Sequence, residues 1–103
     1  MVDVWNHDRL ARFALEYERT LKGSRKYGDI RRALETQDQT GCVLYLAAGI
    51  EIVVHLADEL SGIPRRLAFA TASAFRDRLL DTPVIIHPRQ PEVPFRQLLE
   101  GVI

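Results

Sequence analysis

Phe13-Ala14-Leu15-Glu16-Tyr17-Glu18-Arg19-Thr20 is the stretch on which the reading of this chain turns. In a β-strand successive side chains point to opposite faces. Phe13, Leu15 and Tyr17 would then share one face, and Ala14, Glu16 and Glu18 the other. A large apolar residue at every second position predicts a strand whose Phe13 face looks into a core. Two carboxylates side by side on the other face repel one another. That face is expected either to lie in water or to hold a cation. A further acid, Asp3, precedes it in Val2-Asp3-Val4-Trp5.

Outward from this stretch the pattern is regular. Val2–Trp5 is a short β-type run, Asn6 to Arg9 a polar turn, and Leu10–Thr20 a second strand, so the first twenty residues predict a hairpin. Gly23-Ser24 ends it, with Ser24 as a helix cap. Tyr27, Ile30, Ala33 and Leu34 fall at helical spacing. Gln37–Gly41 is a polar loop, and Cys42–Ala47 an unbroken apolar run of the kind a strand covered on both faces carries. Ile52, Val53, Leu56 and Leu60 mark a helix over Ile50–Leu60, although β-branched Val53 and Val54 leave a strand open for its first half. Gly62-Ile63-Pro64 ends it. Arg66–Thr71 reads as a strand, Ala72–Leu80 as a short helix, Pro83–Pro88 as a last strand, and Phe95, Leu98 and Leu99 as a terminal helix. The order β-β-α-β-α-β predicts one α/β domain, a sheet with helices packed on it.

Composition narrows the function classes. A chain of 103 residues, 47% hydrophobic and 27% charged, has room for one small core and is not compositionally disordered. Its 14 basic and 14 acidic residues cancel, so net charge argues neither for nucleic acid nor for a membrane, and only local clusters can. Cys42 is the single cysteine, which excludes an intrachain disulfide, and its apolar setting predicts a buried, inert thiol. No apolar stretch is long enough for a membrane span and no signal pattern opens the chain, so a cytoplasmic location is the expectation.

Asp3, Glu16 and Glu18 are the residues that could carry chemistry. A hairpin brings its strands within about 5 Å of each other, so an Asp on one and a Glu on the next could jointly hold Mg²⁺ or Mn²⁺. Such an ion activates water and neutralises charge on a phosphate. The alternative is a solvated outer face. Arg19, Lys22, Arg25, Lys26, Arg31 and Arg32 form the densest positive run; it reads as phosphate contacts at a helix start or as a solvated helix face with pairs to Asp29 and Glu35. His7 and His87 read as surface residues, His55 as a satisfied helix histidine, and Tyr17 and Tyr27 as core or interface aromatics. No His or Cys pair has zinc spacing.

An Asp on one strand followed by an acid near a Lys on the next resembles the PD-(D/E)xK signature of restriction-endonuclease-like nucleases. Glu18 stands where that signature has its Lys, with Lys22 the nearest substitute. The longer run from Glu16 to Tyr27, followed by Val43-Leu44-Tyr45-Leu46, resembles the plasmid replication-relaxation family and is similar to MobC-type mobilisation relaxases. The resemblance spans about Val2 to His87. It implies a small restriction-endonuclease-like mixed sheet and a single nuclease-like domain over residues 1–103, either the C-terminal piece of a protein whose winged-helix half is missing or a decayed copy. It further implies metal-dependent nicking of plasmid DNA, with Asp3 and Glu16 holding Mg²⁺ or Mn²⁺, Glu18 as a further ligand or base, and Lys22 stabilising the phosphate. Arg19, Lys22, Arg25 and Lys26 would contact DNA, with relaxosome proteins or a second copy as partners. The competing expectation is a catalytically silent DNA-binding, relaxosome accessory or dimerisation module.

Overall fold

Cys42–Ala47, designated β3, is buried at all six positions, which makes it the spine of the computed structural model. The structure describes residues 2–20, 23–36, 41–63 and 65–100. β1 (Val2–Asn6) and β2 (Arg9–Glu18) form an antiparallel hairpin, and β4 (Leu67–Thr71) lies on the far side of β3. The sheet order is β1-β2-β3-β4, with β2, β3 and β4 parallel. Parallel neighbours need crossovers. These are α1 (Ser24–Thr36), between β2 and β3, and α2 (Ile50–Glu59), between β3 and β4.

Both crossovers step in the same direction across the sheet, so both helices land on one face. Tyr27 and Leu34 from α1 and Val53, Leu56 and Ala57 from α2 pack there against Val43, Tyr45, Ala47, Leu67 and Phe69. Tyr45 stacks on Phe69 with ring centroids 5.6 Å apart. The other face is covered by α3 (Ala72–Arg78), a 3₁₀ turn at Leu79–Asp81, the two-residue strands β5 (Pro83–Val84) and β6 (Val93–Pro94), and α4 (Phe95–Leu99). Phe95 meets Phe13 edge-on at 5.0 Å, inside a cluster with Leu44, Leu46, Ala68, Ala70, Val84 and Leu98. Arg31 of α1 donates from Nη1 to the carbonyls of Ser61 (2.7 Å) and Glu59 (3.3 Å), satisfying carbonyls left open where α2 ends. Arg96 of α4 donates to buried Asn6 Oδ1 at 2.6 Å, tying the second layer to the hairpin.

The mixed α/β sheet with helices packed on it matches the element order read from the sequence. Three local expectations are corrected. Along β2 only Phe13 of the apolar set is buried; Leu15 is 41% and Tyr17 52% exposed. Their face lies beyond the reach of α4, whereas on the acidic face Glu18 is buried and Glu16 exposed, in a groove that Ile30 and Leu34 of α1 help to line. The last strand does not run from Pro83 to Pro88. It pairs only at Pro83–Val84 with Val93–Pro94, and Ile85 then makes an isolated bridge to Phe69 before the chain turns away. Finally, the helix begun at Ala72 stops at Arg78, where Leu79 takes φ 51° and tightens the chain into the 3₁₀ turn.

Candidate functional site

The hairpin register decides how the acids are arranged. A two-residue turn, His7-Asp8, sets Asn6 opposite Arg9 and Asp3 opposite Arg12. His7 sits at φ 59°, the positive value that such tight turns require. Arg12 donates from Nε to Asp3 Oδ1 at 2.6 Å and from Nη2 to Oδ2 at 3.1 Å. This bidentate bond from Arg12 holds the Asp3 carboxyl below the usual carboxylate range. Glu16 lies four residues beyond Arg12 on β2, about 13 Å at roughly 3.3 Å per residue. Asp3 and Glu16 are therefore not brought together, and a single Mg²⁺ with ligands at about 2.1 Å does not span them.

Glu16 and Glu18 are brought together, side by side on the face that α1 covers. With Ala14, Ile30, Leu34, Tyr45 and Arg65 they line a groove of about 490 Å³. Tyr45 lies directly across from Glu16 in the β2–β3 ladder. Burial pushes its hydroxyl up to about 12, and the nearby Glu16 and Glu18 carboxylates add to the rise while Arg65 opposes it. Tyr45, Glu16, Glu18 and Arg65 thus form one electrostatic unit. Among the described residues, no three His, Cys, Asp or Glu side chains are grouped so as to hold a metal ion. Cys42 is buried in the opposite cluster and its thiol is pushed up to about 12 by burial, as befits an inert packing residue.

The basic run divides in two. Arg31 and Arg32 are engaged in pairs along α1, Arg31 with Glu35 at 3.0 Å and Arg32 with Asp29 at 2.7 Å. Arg19, Arg25 and Lys26 are exposed and form no ion pair among the described residues; Lys22 lies outside the described residues. Because β2, β3 and β4 are parallel, their C-terminal ends and the starts of α1, α2 and α3 all reach one edge of the sheet. Open α/β sheets offer ligands this edge. The first turn of α1 carries no acid, whereas that of α2 carries Glu51, which would repel an anion. The larger cleft, about 610 Å³, lies at the opposite edge beside the hairpin turn, where Arg9, Arg12 and Arg66 line it. Of these, Arg12 is bound to Asp3.

Sequence reasoning did not single out Tyr45 or Arg65 as partners of the acids. Tyr45 carried a weak signal, since it is the one hydroxyl-bearing residue in the apolar run of β3; Arg65 carried none, because only the β2–β3–β4 pairing brings it near. His55 sits against Tyr27, ring centroids 5.3 Å apart, and 3.6 Å from Glu59, in keeping with a satisfied helix histidine. No helix among the described residues is long and apolar enough to cross a membrane. No protein-family model, curated protein or solved structure matches this chain.

Proposed function

We propose that this domain binds the sugar–phosphate backbone of DNA, as a module of a plasmid replication or mobilisation system. The observation that carries the reading is the trio Arg19, Arg25 and Lys26, exposed and without ion pairs among the described residues at the C-terminal edge of the sheet. Arg19 precedes α1, Arg25 and Lys26 lie in its first turn, and that turn has no acid to oppose an anion. Lys22, between them in sequence, would add a fourth contact. Such contacts position a duplex without reading its sequence. The resemblance of Glu16–Tyr27 to replication-relaxation and mobilisation proteins supports DNA as the polyanion.

Fluorescence anisotropy with a labelled duplex over a salt series tests this. Each phosphate contact contributes about −0.9 to the slope of log affinity against log salt. Replacing Arg19, Arg25 and Lys26 by Ala should flatten the slope by roughly 2.7. A chain that ignores DNA at low salt would remove the reading altogether.

A second reading, metal-dependent nicking, is favoured by one observation: Glu16 and Glu18 share a face and both act on Tyr45. Glu16 and Glu18 would then hold Mg²⁺ or Mn²⁺, with Asp3 excluded by its distance and Lys22 serving the phosphate. Calorimetry with Mn²⁺ on the wild type and on Glu16→Ala separates the readings. Binding that the mutant loses argues for the metal centre, and no binding by either protein leaves the DNA-binding module.

A further inference from the structure

The groove between the sheet and α1 changes character along β2 and β3. Parallel pairing sets Ala14 beside Val43 and, two residues on, Glu16 beside Tyr45, and all four line it. Two residues of strand span about 6.6 Å at roughly 3.3 Å per residue. Ile30 and Leu34, one turn apart on α1, add an apolar wall. An apolar floor therefore lies a few carbon–carbon bonds from a carboxylate and a phenol.

Tyr45 is only 5% exposed, yet its hydroxyl makes no hydrogen bond among the described residues. Buried polar side chains ordinarily have a partner. The hydroxyl faces Glu16 and Glu18, whose charges reach it. Glu16 forms neither a hydrogen bond nor an ion pair among the described residues, whereas Glu18 and Arg65 are both engaged. The groove thus presents one uncommitted carboxylate and one uncommitted hydroxyl side by side. Two carboxylates against one guanidinium make its described lining net negative, which selects a cation. A divalent ion wants several oxygen ligands and retained waters, and the walls of Ala14, Ile30, Leu34 and Val43 supply neither. An ammonium has three N–H donors for the acid and the hydroxyl, and an alkyl stem suits the apolar floor.

We infer that this groove binds a small aliphatic primary amine in its ammonium form, with the head between Glu16 and the Tyr45 hydroxyl and the stem over Ala14 and Val43. The ammonium donates to the Glu16 carboxylate and to Tyr45 Oη. A volume of about 490 Å³ lies within the ordinary range of small-molecule pockets. Such a ligand competes with a metal ion for Glu16.

The probe is hexylamine, titrated into the full chain at neutral pH and followed by amide chemical shifts. Three controls accompany it: hexanol keeps the stem without the charge, methylamine keeps the head without the stem, and N-acetyl-lysine amide carries both on a peptide backbone. Hexylamine should saturate, shift the amides of Glu16 and Tyr45, and bind at least about ten-fold more tightly than hexanol or methylamine. Glu16→Gln removes the uncommitted charge and should weaken hexylamine about ten-fold. Tyr45→Phe keeps the ring on Phe69 and should weaken it about five-fold. Neither variant should change hexanol binding or the circular dichroism spectrum; if Tyr45→Phe disturbs the fold, Glu16→Gln alone decides. Equal binding of hexanol, or undiminished hexylamine binding by Glu16→Gln, overturns the inference. No response to hexylamine also overturns it, whether or not Mn²⁺ binds in its place. N-acetyl-lysine amide binding about ten-fold more tightly than hexylamine does so too, because the occupant would then be a lysine of a partner protein.

Discussion

β2 and β3 lie side by side and in parallel, paired from Phe13 with Cys42 to Glu18 with Ala47, yet they live in different environments. Every residue of β3 is buried, whereas β2 buries only Phe13 and Glu18. The difference comes from neighbours rather than from strand propensity. β3 has a strand on each side and a packed layer on each face. The end of β2 has a strand on one side, α1 above its acids and nothing described beside Leu15 and Tyr17. A strand's place in the sheet thus outweighs the alternation written into it, and Leu15 and Tyr17 are exposed although their spacing matches that of buried Phe13.

Core truncation should separate the two strands most sharply. Leu44→Ala is expected to cost about 2–5 kcal/mol, and Leu15→Ala less than about 1 kcal/mol, in urea denaturation. Equal costs would mean that the end of β2 is covered in solution. Next in size is an alkaline effect confined to β3. The hydroxyl of Tyr45 and the thiol of Cys42 are both pushed from their usual 10.0 and 9.0 up to about 12 by burial. Both groups must stay protonated in the folded chain while the unfolded chain ionises. Stability should therefore be intact below about pH 9 and be lost progressively as pH rises toward about 12. Tyr45→Phe keeps the ring on Phe69 and should remove the Tyr45 share of that loss; an unchanged pH profile would show that the hydroxyl reaches water.

Smaller still is the effect expected on the hairpin. The Asp3–Arg12 pair is solvent-exposed, so Asp3→Asn should leave the urea midpoint unresolved from that of the wild type. What little it contributes is present above the ordinary Asp pKa and is lost as pH falls through the lowered folded value. The same variant sharpens the comparison at the acids. With Asp3 remote from Glu16, Asp3→Asn should not alter Mn²⁺ calorimetry, and a loss of metal binding would bring the two residues back into one site.

The sequence was most legible where one residue pattern admitted one environment. An unbroken apolar run over Cys42–Ala47 fits only a strand covered on both faces, and it is one. The helical spacing of Tyr27, Ile30 and Leu34 fits a helix with one buried face, and Tyr27 and Leu34 are buried on it. The β-branched pair Val53 and Val54 left the start of α2 open, and packing of Val53, Leu56 and Ala57 on the sheet resolved it as a helix. The candidate site was less legible. Its acids were visible, but Arg65 reaches them only through the sheet, and the Arg12 that claims Asp3 was not marked by any motif.

From the chain alone came the α/β class, the hairpin, the two crossover helices and the buried central strand, because each is written in local periodicity. Tertiary structure alone decided which face of β2 is covered, how far Asp3 stands from Glu16, and which cations remain open to a partner. Alternation defines two faces without saying which will be covered, and that depends on where the crossover helices land. Register depends on a two-residue turn, which moves Asp3 along the ladder without altering the pattern of either strand.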